Sequence, residues 1–315
     1  MFTLLDATMP YTNLPATRNP LMRQRTLPTF AVLLIAGTLL GGCSTGQIIA
    51  RGAAPLIDHG VAAMNRETDL ELARASMPAN IKMIEALLLA DPGNTPYRIQ
   101  AAMGLYGYTM SFVEDGDPAR AANLYRRALD HAEMALAATG VAPEVLDKGN
   151  AATLEQSLAK LDARAVPALF WTASAWAKWI ELQLDDPERL SELPRVEALM
   201  SRALALDETY YYGSAHVFFG VYYGSRAPMF GGDFTRAAQH FDRAAEISEH
   251  KMLLADVYRA KYLMRQMNDR AAFHAALTRV VNTPDRAKSD PDLNFANTLA
   301  KHKAAALLAQ EEELF

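Results

Sequence analysis

GDPARAANLYRRALD (Gly116–Asp130) and GDFTRAAQHFDRAAE (Gly232–Glu246) fall on each other when the chain is slid along itself by 116 residues. The shared pattern is G-D-x-x-R-A-A-x-x-aromatic-x-R-A. The same offset pairs Gly104 with Gly220, Tyr106 with Tyr222 and Asp91 with Asp207. PRVEALMSRALALD (Pro194–Asp207) is a weaker third copy that keeps the seven-residue spacing of Arg195 and Arg202. In each strong copy small and aromatic residues recur at i, i+4 and i+7, one face of a helix: Ala121, Tyr125 and Ala128, then Ala237, Phe241 and Ala244. Gly-Asp before each run supplies a turn and an N-cap, and Pro118 suits the first helical position. One helical hairpin cannot bury its own apolar stripe, so several must stack. The expected fold is therefore all-α: degenerate tetratricopeptide-like hairpins stacked as a compact solenoid, with an internal duplication. The loops SFVEDGD and SRAPMFGGD take up the residues in excess of a standard repeat.

Composition agrees with this reading. Half of the 315 residues are hydrophobic and about a fifth charged, and alanine, leucine, arginine and glutamate outweigh any Val/Ile/Thr alternation. Helices are expected at about 51–66, 78–90, 95–113, 118–139, 152–163, 166–184, 193–206, 209–226, 233–247, 250–267, 269–281 and 292–313. The formal charge is −5; residues 1–42 carry Arg18, Arg23 and Arg25 against Asp6, leaving the remainder near −7. An acidic body without a basic stripe gives no reason to expect nucleic-acid binding.

The N-terminus carries an address. Phe30–Leu40 is an apolar run half as long as a membrane-spanning helix needs and right for a signal-peptide core, with Arg23 and Arg25 as its positive flank. Met22 is an alternative start for this unit. Leu40-Gly41-Gly42-Cys43 reads as a bacterial lipobox, and Cys43 is the sole cysteine of the chain. Small residues let the backbone lie in a peptidase groove, and the thiol receives the lipid; several acyl chains at about 0.8 kcal/mol per buried CH₂ anchor firmly. The expected organisation is a signal peptide over 1–42, a lipidated tether over 43–50 and one helical-repeat domain over 51–315. Ser44 in place of aspartate favours the periplasmic face of the outer membrane.

Two aromatic segments are candidates for function. WTASAWAKW holds Trp171, Trp176 and Trp179 on one helix; YYYGSAHVFFGVYYGSRAPMF (Tyr210–Phe230) holds eight aromatics and a histidine. In an uninterrupted helix Tyr212, His216, Phe219 and Tyr223 share one face, while Gly213, Gly220 and Gly224 line another suited to close approach. Core packing accounts for such spacing, and so does a partly apolar ligand cleft, to which the many polar tips point. Arg226, Met229 and Phe230 would form its rim. His216 alone reads as a hydrogen-bonded buried histidine. No histidine spacing suits a metal, and no nucleotide loop, nucleophile elbow or other catalytic constellation is present, so neither cofactor nor enzymatic activity is expected.

The lipobox, the degenerate repeats, HVFFGVYYGSRAPMFGGDFTRAAQHFDRAAEIS (His216–Ser248) and the later DRAAFHAALTRVVNTP and NFANTLAKHKAAALL segments together resemble the T-component (TatT) family. These are lipoproteins associated with tripartite ATP-independent periplasmic (TRAP) transporters. The resemblance implies a homotrimer of all-α subunits that partners a periplasmic solute-binding protein and offers a cleft or pore to a hydrophobic ligand. A general envelope scaffold built from the same repeats is the alternative function, working by peptide-in-groove contacts.

Overall fold

The computed structural model describes residues 45–284 and 290–315. The signal peptide expected over 1–42 and the lipidation expected at Cys43 fall outside the described residues. Among them every regular element is helical and no strand occurs. The principal helices are α1 (Thr45–Gly52), α2 (Ala54–Asn65), α3 (Leu70–Ala90), α4 (Thr95–Phe112), α5 (Pro118–Ala137), α6 (Pro143–Asp147), α7 (Ala151–Ala159), α8 (Val166–Glu181), α9 (Pro187–Leu190), α10 (Leu193–Leu206), α11 (Tyr210–Gly224), α12 (Phe234–Ile247), α13 (Leu253–Tyr258), α14 (Arg270–Asn282), α15 (Asn294–Ala309) and α16 (Glu311–Leu314). A π-helical turn, Arg259–Met264, continues α13.

The two similar segments fold alike locally. Asp117 and Asp233 both cap a helix, accepting hydrogen bonds from the backbone N–H of Arg120 and Arg236 at 3.0 and 2.9 Å, which satisfies donors that the first helical turn leaves open. Ala121, Tyr125 and Ala128 are wholly buried on α5, and Ala237, Phe241 and Ala244 are buried on α12. Each helix packs against its predecessor, α5 on α4 and α12 on α11; α5 also packs on α8, and α8 on α10. The three glycines of α11 form the expected contact stripe. A β-carbon at Gly220 would lie 2.8 Å from the Phe241 ring, and one at Gly224 would lie 3.4 Å from Ala237. Gly104 differs from Gly220 in its neighbour, since it faces Ile81 of α3 and no aromatic ring.

Several boundaries depart from the sequence expectation for local reasons. Asp69 caps α3 by accepting from Glu71 and Leu72 N–H, so the helix begins at Leu70 and runs through Pro78. The loss of one backbone hydrogen bond at the proline is tolerated because Met77, Ile81, Ile84 and Leu88 all bury on the same helix. The tether expected at 43–50 is helical from Thr45 onward. Tyr97 donates a hydrogen bond to the Ala50 carbonyl, and Arg51 meets Asp91 at 3.0 Å, which docks α1 on the end of α3. The helix expected over 250–267 is divided into α13 and the π turn. The helix expected from 209 opens with Tyr211, Tyr212 and Gly213 in left-handed conformation, at φ 48°, 59° and 75°.

Candidate functional site

The left-handed opening of α11 determines where its tyrosines go. Left-handed backbone costs an L-residue roughly 1–2 kcal/mol, and two consecutive tyrosines hold it here beside a glycine that adopts it readily. The turn removes Tyr212 from the face of His216, Phe219 and Tyr223, because a four-residue spacing places side chains together only in a continuous right-handed helix. Tyr211 is instead directed against α8, its ring 5.4 Å from that of Trp171 and 6.2 Å from that of Phe170. Tyr211 and Tyr212 also line an open depression of about 500 Å³ with Thr209, Arg243, Glu246 and Ile247.

The rest of the predicted face forms a closed column. His240 of α12 stacks on Phe219 and Tyr223, with ring centroids 5.2 and 5.9 Å apart, and its Nδ1 lies 2.9 Å from Nδ1 of His216. The polar tips are satisfied: Glu197 of α10 accepts from the hydroxyls of Tyr222 and Tyr223, and Glu208 takes His216 Nε2 at 3.2 Å. Arg243 and then His216 hold the Glu208 carboxyl down at about 2. Desolvation, then the neighbouring His216 and Arg236, push the His240 imidazole down to about 4. An unfolded histidine titrates near 6.5, so the fold has no penalty above that pH. Stability drains as the pH falls from there towards 4, while the unfolded chain takes a proton that the column refuses. Lowering the pH from 7.5 to 5.5 therefore costs about 1 kcal/mol through this group. Urea midpoints at the two pH values should fall less in His240→Gln than in the parent protein.

The three tryptophans do not converge. Successive residues turn about 100° around a helix, so Trp176 and Trp179 stand roughly 140° and 80° from Trp171. Trp176 is buried and donates to Glu192 at 2.8 Å. Trp179 is flanked by the guanidinium groups of Arg126 and Arg189, 5.1 and 4.8 Å from the ring. Trp171 alone joins the tyrosines, donating to the Tyr210 hydroxyl at 3.2 Å with its ring edge-on to Tyr106 at 5.5 Å. Arg226 folds back over the Tyr222 ring at 4.2 Å and donates to its carbonyl, while Met229 and Phe230 protrude, 82% and 70% exposed.

A second group of aromatic residues carries hydroxyls without protein partners. Tyr106 of α4, Tyr211 and Tyr258 of α13 have hydroxyls with no protein partner among the described residues, although solvent reaches part of each ring. Desolvation pushes the Tyr211 hydroxyl up to about 12, although the residue is 40% exposed, and also raises those of Tyr106 and Tyr258. Tyr106 links the three, since it lies within electrostatic reach of both Tyr211 and Tyr258. Buried tyrosine hydroxyls ordinarily find partners. Tyr106 and Tyr258 are half-buried and Tyr211 is 40% exposed, so water can reach all three residues.

Beside Tyr106 and Tyr258 lies a cluster of charges. Lys178 bridges Glu114 and Glu181 at 2.9 and 2.8 Å. Tyr125 donates to Glu114 at 2.6 Å and Tyr262 to Glu181 at 2.8 Å. Lys303 of α15 meets Asp115 at 2.6 Å and Glu114 at 3.7 Å. Burial lowers the Lys178 ammonium's affinity for its proton, but the carboxylates of Glu181 and Glu114 outweigh it and hold the group charged well above its ordinary range. Tyr106 entered the sequence reading only as the repeat partner of Tyr222, and Tyr258 and Lys178 not at all. One signal was available for the last: a lone lysine between two tryptophans in an otherwise apolar helix. No group of histidine, cysteine or acidic side chains able to hold a metal occurs among the described residues.

The model of the TRAP transporter T-component family matches residues 66–315. The chain belongs to that family. The match spans these aromatic residues, the histidine column and both similar segments. A T-component is an accessory of TRAP transporters, which gives the molecule a role beside a membrane uptake system. A search of curated proteins returned no match.

Proposed function

We infer that this T-component is a lipid-anchored, non-enzymatic accessory that docks a periplasmic solute-binding protein and holds an apolar ligand in the recess walled by Tyr106, Trp171, Tyr211 and Tyr258. The observation that carries the ligand reading is the set of three partnerless hydroxyls, contributed by three different helices to one aromatic wall. Aromatic walls with a few convergent polar groups are the usual make-up of a small-molecule site. Of the residues expected at a cleft from the sequence, Trp171 belongs to this wall. His216, Phe219 and Tyr223 serve the column that closes α11 on α12, and Tyr212 stands at the open depression beside Tyr211.

Among the described residues no helix is long and apolar enough to cross a membrane. In this reading acyl groups on Cys43 supply the attachment, at the periplasmic face of the outer membrane, and the subunit works as a homotrimer. The test is direct. Purified protein is mixed with the solute-binding protein of a TRAP system from the same cell, and complexes are weighed by native mass spectrometry. The expected result is a T-component trimer carrying the solute-binding protein and a small apolar adduct. A monomer that recovers neither partner nor adduct overturns the reading.

A further inference from the structure

The first two helices carry an exposed apolar face. Helical hydrogen bonds run across the junction of α1 and α2, from Ala53 N–H to the Ile49 carbonyl and from Ile57 N–H to the Ala53 carbonyl, both at 3.1 Å. The two helices therefore keep one register, in which successive residues turn about 100°. Ile48, Ile49, Gly52, Leu56, His59 and Ala63 then fall within about 100° of one another, and all six are exposed. Ile48, Ile49 and Leu56 are 64%, 66% and 71% exposed, although they are large and apolar. The opposite side holds Ala50 and Ile57 in an apolar cluster with Ile84, Leu88 and Tyr97. Packing within the subunit thus accounts for the inner face and leaves the outer one without a reason.

The charges of the segment are kept off this outer face. From Thr45 to Ala63 only Arg51 and Asp58 are acidic or basic. Arg51 pairs with Asp91 at 3.0 Å, and Asp58 accepts from the Gln100 side chain at 2.8 Å, so both are engaged with the body of the domain. His59 donates its Nδ1–H to the Pro55 carbonyl at 2.7 Å. A surface helix ordinarily carries charged residues on its outer side. This one carries no Asp, Glu, Lys or Arg there.

We propose that this face is a membrane-contact surface: α1 and α2 lie along the bilayer, with Ile48, Ile49 and Leu56 set into the headgroup boundary. The proposal rests on the lipid-anchor reading and adds how the anchored domain is seated. Chain length names the occupant. Cys43 stands two residues before Thr45, and two residues span at most about 7 Å. A helix rises about 1.5 Å per residue, so acyl groups on Cys43 would hold Ile48 and Ile49 within about 13 Å of the attachment point. Interfacial helices sink about 5–10 Å into the headgroup boundary, a depth that this reach allows. A tethered surface meets lipid at high effective concentration, and a second copy of the chain would have to displace it. Because the face is uncharged, the contact needs no anionic lipid and should be indifferent to salt.

The test uses the lipidated protein in vesicles of phosphatidylethanolamine and phosphatidylglycerol doped with doxyl-labelled lipid. Acylation would consume the only native thiol, so Ile49→Cys, Leu56→Cys and the exposed control Glu188→Cys each take a single NBD fluorophore. Probes at 49 and 56 should emit to the blue of the probe at 188 and lose most of their emission to the doxyl lipid, at low and high salt alike. Adding Ile48→Glu and Ile49→Glu to Leu56→Cys should restore the emission. Both isoleucines are mostly exposed, so thermal melting should be unchanged. Quenching that survives these two substitutions assigns it to the acyl chains alone and overturns the proposal. A blue-shifted probe that doxyl lipid does not quench means that a second copy or another protein covers the face, and overturns it too. So does emission like that of the probe at 188, which places the face in water. Protein that fails to float with the vesicles overturns the anchor reading, and the seating with it.

Discussion

Lys178→Met should destabilise the protein by about 3–5 kcal/mol, the cost of breaking a buried ion pair from one side. Lys178 is 15% exposed and Glu114 only 7%. Removing the ammonium leaves Glu114 with the Tyr125 hydroxyl and a more distant Lys303, and leaves Glu181, 35% exposed, with the Tyr262 hydroxyl and the longer-range charge of Lys261. Both carboxylates would then stay charged in poor solvent or take up protons. Urea unfolding followed by circular dichroism measures the loss, and the double variant Lys178→Met/Glu181→Gln should recover part of it because one stranded charge is gone. A loss below 1 kcal/mol would mean that water solvates both carboxylates and that the charge cluster is not held by its pairing.

Tyr125→Ala is the second large effect, at about 3–5 kcal/mol for truncating a fully buried aromatic. Its ring is wholly inaccessible, packs 5.4 Å from that of Tyr106 and lies 5.8 Å from Lys178 Nζ, while its hydroxyl donates to Glu114 at 2.6 Å. Tyr125→Phe separates packing from polarity. It keeps the ring and removes one hydrogen bond to a charged acceptor, and should cost about 1.5–3 kcal/mol. Equal losses in the two variants would assign the whole contribution to the hydroxyl and contradict the packing account. Because Tyr125 braces Tyr106, the alanine variant should also loosen the recess wall, which the fluorescence of Trp171 would report in a Trp176→Phe/Trp179→Phe background.

The all-α class was legible because it rests on spacing. Ala121, Tyr125 and Ala128 recur as Ala237, Phe241 and Ala244 after matching Gly-Asp turns, and both runs bury the expected face. The glycine stripe of α11 was legible for the same reason. The recess was not, because it depends on two departures from regular helix. Tyr211 and Tyr212 carry no signal of left-handed backbone, since tyrosine disfavours it; only Gly213 hinted at a break. Lys261 sits in YRAKY, which reads equally well as ordinary α-helix, and the π turn is fixed by packing against α11, α13 and α14. The predicted aromatic face contained the right residue types, but its polar tips found partners in Glu197 and Glu208. Those two carboxylates come from α10 and the loop that follows it, and no spacing within the aromatic segment announces them.

The glycine stripe bears on how a solute could enter. Where α11 meets α12, a backbone carbon lies directly on the ring of Phe241, with no flexible side chain between them to absorb a displacement. Parting these helices would strip a whole aromatic face at once, so this seam is stiff against small fluctuations. The π turn belongs to the same seam: a β-carbon at Gly224 would lie 3.3 Å from Leu263 and 3.4 Å from the Tyr262 carbonyl. Traffic into the recess should therefore be gated away from this seam, and amide exchange should be slow along α12.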